Sequence, residues 1–197
     1  MRFDEAFGGL IPGARGAALA VVMRTGQPLT GRQVHGMAQN DFSLWSIQQA
    51  LTALIDLGLV HGETVGRATL HTFNHEHYAA RPLEALLSPL AAFRTVIRET
   101  VGTDVHAVVL FGSLARGESS PGSDIDLAVI APAEWDRRGE VQEAVQTRMG
   151  NRCDVLVFSP TEFLGHARSK DEPVVNDILS DGIVLAGALP QHDVEVA

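Results

Sequence analysis

The sequence has few of the features that mark secreted or membrane proteins. It contains a single cysteine, Cys153, which excludes an internal disulfide and any metal site built from several cysteines. Its longest apolar stretch, residues 17–23, is far too short to span a bilayer. The first residues lack the basic start and long apolar core of a signal peptide. We therefore expect a cytoplasmic protein with no membrane partner.

The sequence also lacks an excess of basic residues. It carries 15 Lys and Arg against 24 Asp and Glu, a net charge of −9, and the acidic excess lies in the second half. This balance argues against a chain that wraps nucleic acid nonspecifically, because such binding requires a basic surface. The 197 residues, 45% of them hydrophobic, are enough for one large or two small globular domains.

The most informative segment joins a Gly-Ser turn to two aspartates. Residues 105–111 are almost continuously apolar and predict a buried strand. It ends at Gly112 and Ser113, whose small size leaves backbone N–H groups open to an anion. Ten residues separate Ser113 from Asp124, and Asp126 follows at the spacing that places both carboxylates on one face of a strand. Two neighbouring like charges require a cation, and Mg²⁺ prefers carboxylate, water and phosphate oxygens.

A third carboxylate, Asp154, stands at the start of a predicted strand over residues 152–158. Pairing between this strand and the one that follows Asp126 would bring Asp154 beside the other two aspartates. Because strand side chains alternate, Cys153 should point to the opposite face, into the core. A reactive thiol at Cys153 is the alternative interpretation.

These residues resemble the signature of the DNA polymerase β-like nucleotidyltransferase superfamily, most closely its minimal nucleotidyltransferases. The resemblance implies transfer of a nucleoside monophosphate from a nucleoside triphosphate to an acceptor hydroxyl, with pyrophosphate leaving. It also implies two Mg²⁺ ions held by Asp124 and Asp126, and it makes Asp154 a further metal ligand or the base at the acceptor hydroxyl. The alternative is an ordinary loop beside an exposed strand.

The resemblance covers about half the chain, roughly residues 90–186, and it also implies nucleotide-binding residues. Gly112 would allow close backbone approach, and Ser113 would donate its hydroxyl and N–H to the terminal phosphates. Arg116 is either a further phosphate contact or a surface residue in a salt bridge. Ser123 is also a candidate, although we rank a structural role in the turn before the strand above a catalytic one.

The first half of the sequence predicts three helices followed by a β-hairpin. The predicted helices cover residues 13–24, 30–39 and 43–58, with Thr30 and Ser43 as N-caps. The predicted hairpin strands, residues 59–61 and 68–73, flank a turn over residues 62–66. Over residues 10–77 this order resembles the winged helix-turn-helix domains of bacterial regulators.

This second resemblance implies contacts to DNA from the third helix and from two arginines near phosphates. The implied DNA-binding residues are Arg32, Ser43, Trp45, Ser46, Gln48, Gln49, Thr52 and Arg67. Residues 43–57 contain no Lys or Arg, so more phosphate affinity must come from elsewhere, such as the second subunit of a homodimer. The alternative is a winged helix used for protein contact or dimerisation.

Together these features predict an α+β fold with three parts. These are an N-terminal winged helix over residues 1–80, a connecting helix over 81–100, and a small α/β nucleotidyltransferase domain with a mixed sheet over 101–197. The predicted function is metal-dependent nucleotidyl transfer to a protein or RNA hydroxyl, with a winged helix that binds DNA or a partner protein. The alternative is a DNA-binding transcriptional regulator whose second domain senses nucleotide or is inactive.

Overall fold

The computed structural model describes residue 3 and residues 5–38, 42–118 and 122–190. The chain divides into two compact units. The first unit is Glu5–Pro89, and the second begins at Leu90 and includes Phe3. Among the residues described, none of the helices combines the length and the apolar character that crossing a bilayer requires.

The first unit combines helices with a three-stranded antiparallel sheet. After a 3₁₀ turn at Ala6–Gly9, its helices are α1 (Gly13–Thr25), α2 (Gly31–Met37), α3 (Leu44–Asp56) and α4 (Ala80–Leu86). Its strands are β1 (Leu29–Thr30), β2 (Val60–Val65) and β3 (Ala68–Phe73). The strand order is β1-β3-β2, so the short β1 pairs with the second strand of the hairpin.

Local sequence explains where these helices begin and how α3 packs. Thr30 and Gln33 form a capping box at the start of α2, and the Ser43 hydroxyl accepts the Ser46 N–H at the start of α3. The apolar positions of α3 recur at helical spacing, so one face of the helix is buried in the core. The hairpin differs from the prediction, because β2 runs to Val65 and leaves a turn of only two residues, 66–67.

The second unit contains a four-stranded mixed sheet. Its strands are β4 (Ala107–Phe111), β5 (Ile125–Ile130), β6 (Cys153–Phe158) and β7 (Ile183–Gly187). Its helices are α5 (Pro89–Val101), α6 (Gly112–Ala115), α7 (Arg138–Met149), α8 (Pro160–Ser169) and α9 (Pro173–Asp181). The order is β6-β5-β4-β7, with β5 and β6 parallel and the other neighbours antiparallel.

Helices cover both faces of this sheet, and the alternation along β5 divides its side chains between two cores. Ile125, Leu127 and Val129 belong to the core shared with α5 and α7. Ala128 and Ile130 belong to the core shared with α8 and α9. Asp126 lies two positions before Ala128, so both side chains are on the same face of the strand. The Asp126 carboxylate therefore lies on the face covered by α8 and α9, at the end of the sheet where β5 begins.

The region between the two units also differs from the prediction. Where the sequence predicts one connecting helix over residues 81–100, the structure has two helices, α4 and α5, separated at residues 87–88. Leu83 packs in the core of the first unit, whereas Phe93 and Ile97 are buried in the core of the second. Pro89 begins α5, where its missing N–H costs no hydrogen bond, and a proline disfavours helical backbone in the residue before it.

Candidate active site

The candidate site lies at the end of the mixed sheet where β4 ends and β5 and β6 begin. Phe111, the last residue of β4, is the register partner of Asp126, and Asp126 is the register partner of Asp154. Neighbouring strands lie about 4.8 Å apart, and register partners point to the same face of the sheet. The structure therefore brings the Asp126 and Asp154 carboxylates together, and Asp124 precedes β5 at the same end.

The Gly-Ser turn lies directly against one of these carboxylates. Gly112 has a φ of +74°, and a Cβ atom at this position would collide with Oδ2 of Asp126. Glycine tolerates both the left-handed backbone and the close approach. Ser113 follows in the short helix α6, which the buried Leu114 anchors in the core. The turn and the aspartates are thus one contiguous group of residues.

The electrostatics of Asp126 reflect this crowding. Partial burial raises the pKa of Asp126, and the neighbouring charges of Asp154 and Asp124 raise it further, while Arg116 lowers it. Asp124 is half-buried and Asp154 is exposed. The like charges of the three carboxylates therefore act on one another, and a bound cation would relieve their repulsion.

Arg116 lies near the site but already has a partner. Its Nε donates to Oε2 of Glu118 at 2.9 Å, and the side chain is exposed. The hydrogen bond to Glu118 is the main cause that raises the pKa of Arg116, and burial opposes it. Arg116 therefore forms a surface salt bridge, and its charge also acts on Asp126.

A buried amide that the sequence did not single out joins the loops that carry the aspartates. Nδ2 of Asn151 donates to the backbone oxygen of Ser123 at 2.9 Å, and the Ile125 N–H donates to the backbone oxygen of Arg152 at 2.8 Å. These bonds tie the segment before β5 to the segment before β6. Asn151 therefore positions the site, and its polar side chain between Gly150 and an apolar strand is the one signal for it in the sequence.

Cys153 points away from the carboxylates, as the strand alternation predicts. Its side chain is 6% exposed and packs in the core with α5 and α7. Burial, followed by the charges of Asp154 and Asp126, raises the pKa of the thiol to about 12. The thiol therefore stays protonated, which contradicts the alternative of a reactive cysteine.

The donor chemistry of the site suits a hard divalent cation. Carboxylate oxygens are the ligands that Mg²⁺ takes alongside water and substrate phosphates. Within residues 5–38, 42–118 and 122–190, however, no group of three or more His, Cys, Asp or Glu side chains is spaced to hold a metal ion. A Mg²⁺ site that water and substrate phosphates complete needs only one or two protein carboxylates.

The predicted DNA-binding residues of the first unit differ in exposure and in surroundings. On α3, Trp45, Gln48, Gln49 and Thr52 are exposed, Trp45 to 68%, whereas Ser46 is half-buried. A groove of about 660 Å³ is lined by Arg32, Gln48, Thr52 and Arg67. Gln49 is exposed outside the groove lining. The hydroxyls of Ser43 and Ser46 lie 2.8 Å apart at the start of α3, so both serve the helix cap.

Comparison with known proteins gives one family match, which lies in the second unit. Residues 90–185, just under half of the chain, match the family model described as a nucleotidyltransferase domain. The matched segment contains the Gly-Ser turn and all three aspartates. The match supports nucleotidyltransferase activity for this protein. No curated protein matches the chain.

Several solved structures show a distant likeness. A toxin-antitoxin structure with AMP-PNP is 20% identical, covers 51% of this chain and 74% of that chain, and has a TM-score of 0.38. The toxin-antitoxin MntA-HepT is 18% identical over 50% of this chain and 70% of that chain, with a TM-score of 0.33. TrmBL2, an archaeal chromatin protein, is 13% identical over 82% of this chain and 70% of that chain, with a TM-score of 0.30.

Proposed function

We propose that this protein is a Mg²⁺-dependent transferase that moves a nucleoside monophosphate from a nucleoside triphosphate to a hydroxyl group of a protein or an RNA. The observation that carries this proposal is the register pairing of Asp126 with Asp154 beside the turn at Gly112. It places carboxylates and a backbone turn of small residues at one point, which a metal-bound triphosphate requires.

In the proposed reaction, different residues of the site bind the metal ions and the phosphates. Asp124 and Asp126 would hold two Mg²⁺ ions, which when bound neutralise charge on the phosphates and on the leaving pyrophosphate. Gly112 and Ser113 hold the terminal phosphates through the backbone and the serine hydroxyl. Arg116 contacts a phosphate after exchanging its bond to Glu118.

Asp154 acts on the acceptor side of the site. It is exposed, whereas its register partner Asp126 is half-buried, so the acceptor hydroxyl approaches over β6. The acceptor oxygen attacks the α-phosphorus, and the bond from that phosphorus to pyrophosphate breaks. Asp154 either takes the proton of the attacking hydroxyl or completes the metal site.

Radiolabelled nucleotides test this reaction and identify the acceptor. The purified chain is incubated with Mg²⁺, candidate proteins or RNA, and each of the four nucleoside triphosphates labelled at the α-phosphate. We expect covalent label on one acceptor class, lost with EDTA and in Asp126→Asn. A parallel reaction with γ-labelled nucleotide must leave the acceptor unlabelled, because label transfer from that position would show a phosphotransferase instead.

We further infer that the first unit is a winged helix that binds DNA or a protein partner. The order of α1, α2, α3 and the β2-β3 hairpin supports this assignment, as does the exposed polar side of α3. A second copy of the chain would double the number of arginines that face DNA, which favours binding as a homodimer.

A gel-shift experiment separates this role from transfer. DNA from upstream of the gene is titrated with the chain, with and without nucleotide and Mg²⁺, and light scattering records the oligomeric state. Binding that Gln49→Ala weakens supports the DNA-binding role, and Glu76→Ala, a change outside α3, is the control. A protein that binds this DNA but never labels an acceptor would be a regulator with an inactive or nucleotide-sensing second domain.

A further inference from the structure

The groove of the first unit has the size and lining of a site for a small ligand. Its volume of about 660 Å³ falls within the range of pockets that hold cofactors and metabolites. Arg32 of α2 and Arg67 of the hairpin turn supply positive charge, and Gln48 of α3 supplies an amide. The described residues that line the groove include no Asp or Glu.

A buried histidine forms part of the same lining. His71 is 8% exposed, and its Nδ1 lies 3.0 Å from the backbone oxygen of Leu29. A carbonyl oxygen only accepts hydrogen bonds, so Nδ1 carries a proton, and in that tautomer Nε2 is the acceptor of the ring. Within the part of the chain that the structure describes, Nε2 has no hydrogen-bond partner.

The strand register leaves one neighbouring position of His71 without a side chain. His71 is the register partner of Leu29 on one side and of Gly62 on the other. A Cβ atom at Gly62 would collide with Cδ1 of Ile55, so α3 packs against bare backbone there. Gly62 therefore contributes no side chain beside the ring, and a buried polar atom without a partner is rare in folded proteins.

The charge of the first unit favours a small ligand over a long nucleic acid at this groove. Residues 5–89 contain five Arg and six Asp or Glu, so the unit has no general basic surface. Duplex binding draws on many phosphate contacts, whereas one phosphate group can be held by two arginines. The groove concentrates two of the five arginines around a buried acceptor.

We propose that this groove binds a nucleotide-sized organic phosphate. Arg32 and Arg67 hold its phosphate, and His71 Nε2 accepts a hydrogen bond from a hydroxyl or amino group of the ligand. A nucleoside monophosphate has both chemical groups. The site lies in the first unit and does not depend on the proposed transfer reaction. Because Gln48 and Thr52 line it, an occupied groove would also block contacts from these residues to DNA.

Calorimetric titration of the full chain with each of the four nucleoside monophosphates tests the proposal. The chain carries Asp126→Asn and Asp154→Asn, and divalent cations are absent, so that the second unit contributes little binding. We expect saturable binding of at least one nucleotide, weakened at least about tenfold by Arg32→Gln with Arg67→Gln. Arg24→Gln, which removes an exposed arginine of the same unit outside the groove, should leave the affinity unchanged.

A substitution at the floor of the groove adds a second criterion. His71→Leu should weaken nucleotide binding more than His71→Gln, because glutamine keeps an acceptor oxygen. Should both variants fail to fold, the arginine pair decides alone. Equal affinities of the arginine-pair variant and Arg24→Gln would overturn the proposal. So would an arginine pair that matters only for duplex DNA, or the absence of saturable binding of any nucleotide.

Discussion

Asp126 and Asp154 are register partners on two parallel strands, β5 and β6. Parallel neighbours begin at the same end of the sheet. Asp126 and Asp154 are the first carboxylates within their strands, so they lie side by side without any contribution from a loop. β4 runs antiparallel to β5 and delivers its C-terminal glycine turn to that same edge. This end of the sheet therefore brings together Gly112 and Asp154, which lie 42 positions apart in the sequence.

Asp126→Asn should increase stability while it removes activity. The raised pKa of Asp126 shows that the folded protein disfavours its charged form, so a neutral amide should raise the free energy of unfolding at neutral pH. Label transfer should fall by at least about 100-fold, the lower end of the contribution of positioned catalytic groups. Thermal unfolding and the transfer rate, measured on one preparation, check both expectations.

The matched control is Asp136→Asn, an exposed aspartate after the far end of β5. It should change neither property. An Asp126→Asn protein that loses stability, or that keeps its full transfer rate, would show that the carboxylate is a structural group and not part of the active site.

Gly112→Ala should impair the site through one contact. Alanine at a left-handed backbone position costs about 1–2 kcal/mol, and at Gly112 its Cβ would also displace the Asp126 carboxylate. Gly117→Ala is the control, because Gly117 has a φ of +72° and open space around the position of a Cβ. Chemical denaturation and transfer assays of both variants separate backbone strain from the collision.

We expect both glycine variants to lose stability and Gly112→Ala alone to lose most of its transfer activity. Equal transfer rates in the two variants would contradict a functional contact between the turn and Asp126.

Asn151→Ala should loosen the alignment of the two aspartate segments. The lost hydrogen bond to the Ser123 backbone oxygen should lower the free energy of unfolding by about 1 kcal/mol. Because that bond holds the segment before Asp124, kcat should fall more than the loss of stability explains. The control is Asn176→Ala, which removes a hydrogen bond from the side-chain amide to the Lys170 backbone oxygen and should leave kcat unchanged. An unchanged kcat in Asn151→Ala would limit this residue to a structural role.

The capping box of α8 makes one contribution to stability depend on pH. Bonds from the Ser159 backbone and side chain lower the pKa of Glu162, so its carboxylate stabilises the fold above the ordinary glutamate pKa. That contribution is lost as the pH falls through the lowered folded-state pKa. Glu162→Gln keeps a neutral acceptor, so its stability deficit should shrink on acidification.

Denaturant titrations of wild type and Glu162→Gln across the acidic range measure this change. Glu143→Gln in the middle of α7 controls for the loss of one charge. A deficit that stays constant with pH would show that the carboxylate charge adds nothing to the cap.

Features encoded by neighbouring residues could be predicted from the sequence. The capping residues Thr30 and Ser43 mark helix starts because each side chain bonds an N–H only a few positions away. The opposite face for Cys153 follows from the geometry of a single strand. Asp124, in contrast, was predicted on the same strand face as Asp126 but lies just before β5 and not within it. The break of the predicted connecting helix at residues 87–88 was missed, because its apolar periodicity continues across residues that pack into two separate cores.

Other features depended on packing between distant segments. Helix α8 and strand β7 were not predicted. Strand β7 pairs with the side of β4 that β5 leaves free, and this pairing joins distant segments of the chain. The bond from Asn151 to Ser123 and the groove at His71 likewise join residues far apart in the chain.

The sequence by itself determined which residues are the candidates for the chemistry, because side-chain identity and strand or helix spacing are local properties. Only the tertiary structure decided that Asp154 lies beside Asp126. Helix α7 connects β5 to β6, and its packing in the core shared with α5 helps to place these strands side by side. That packing depends on contacts between residues far apart in the sequence.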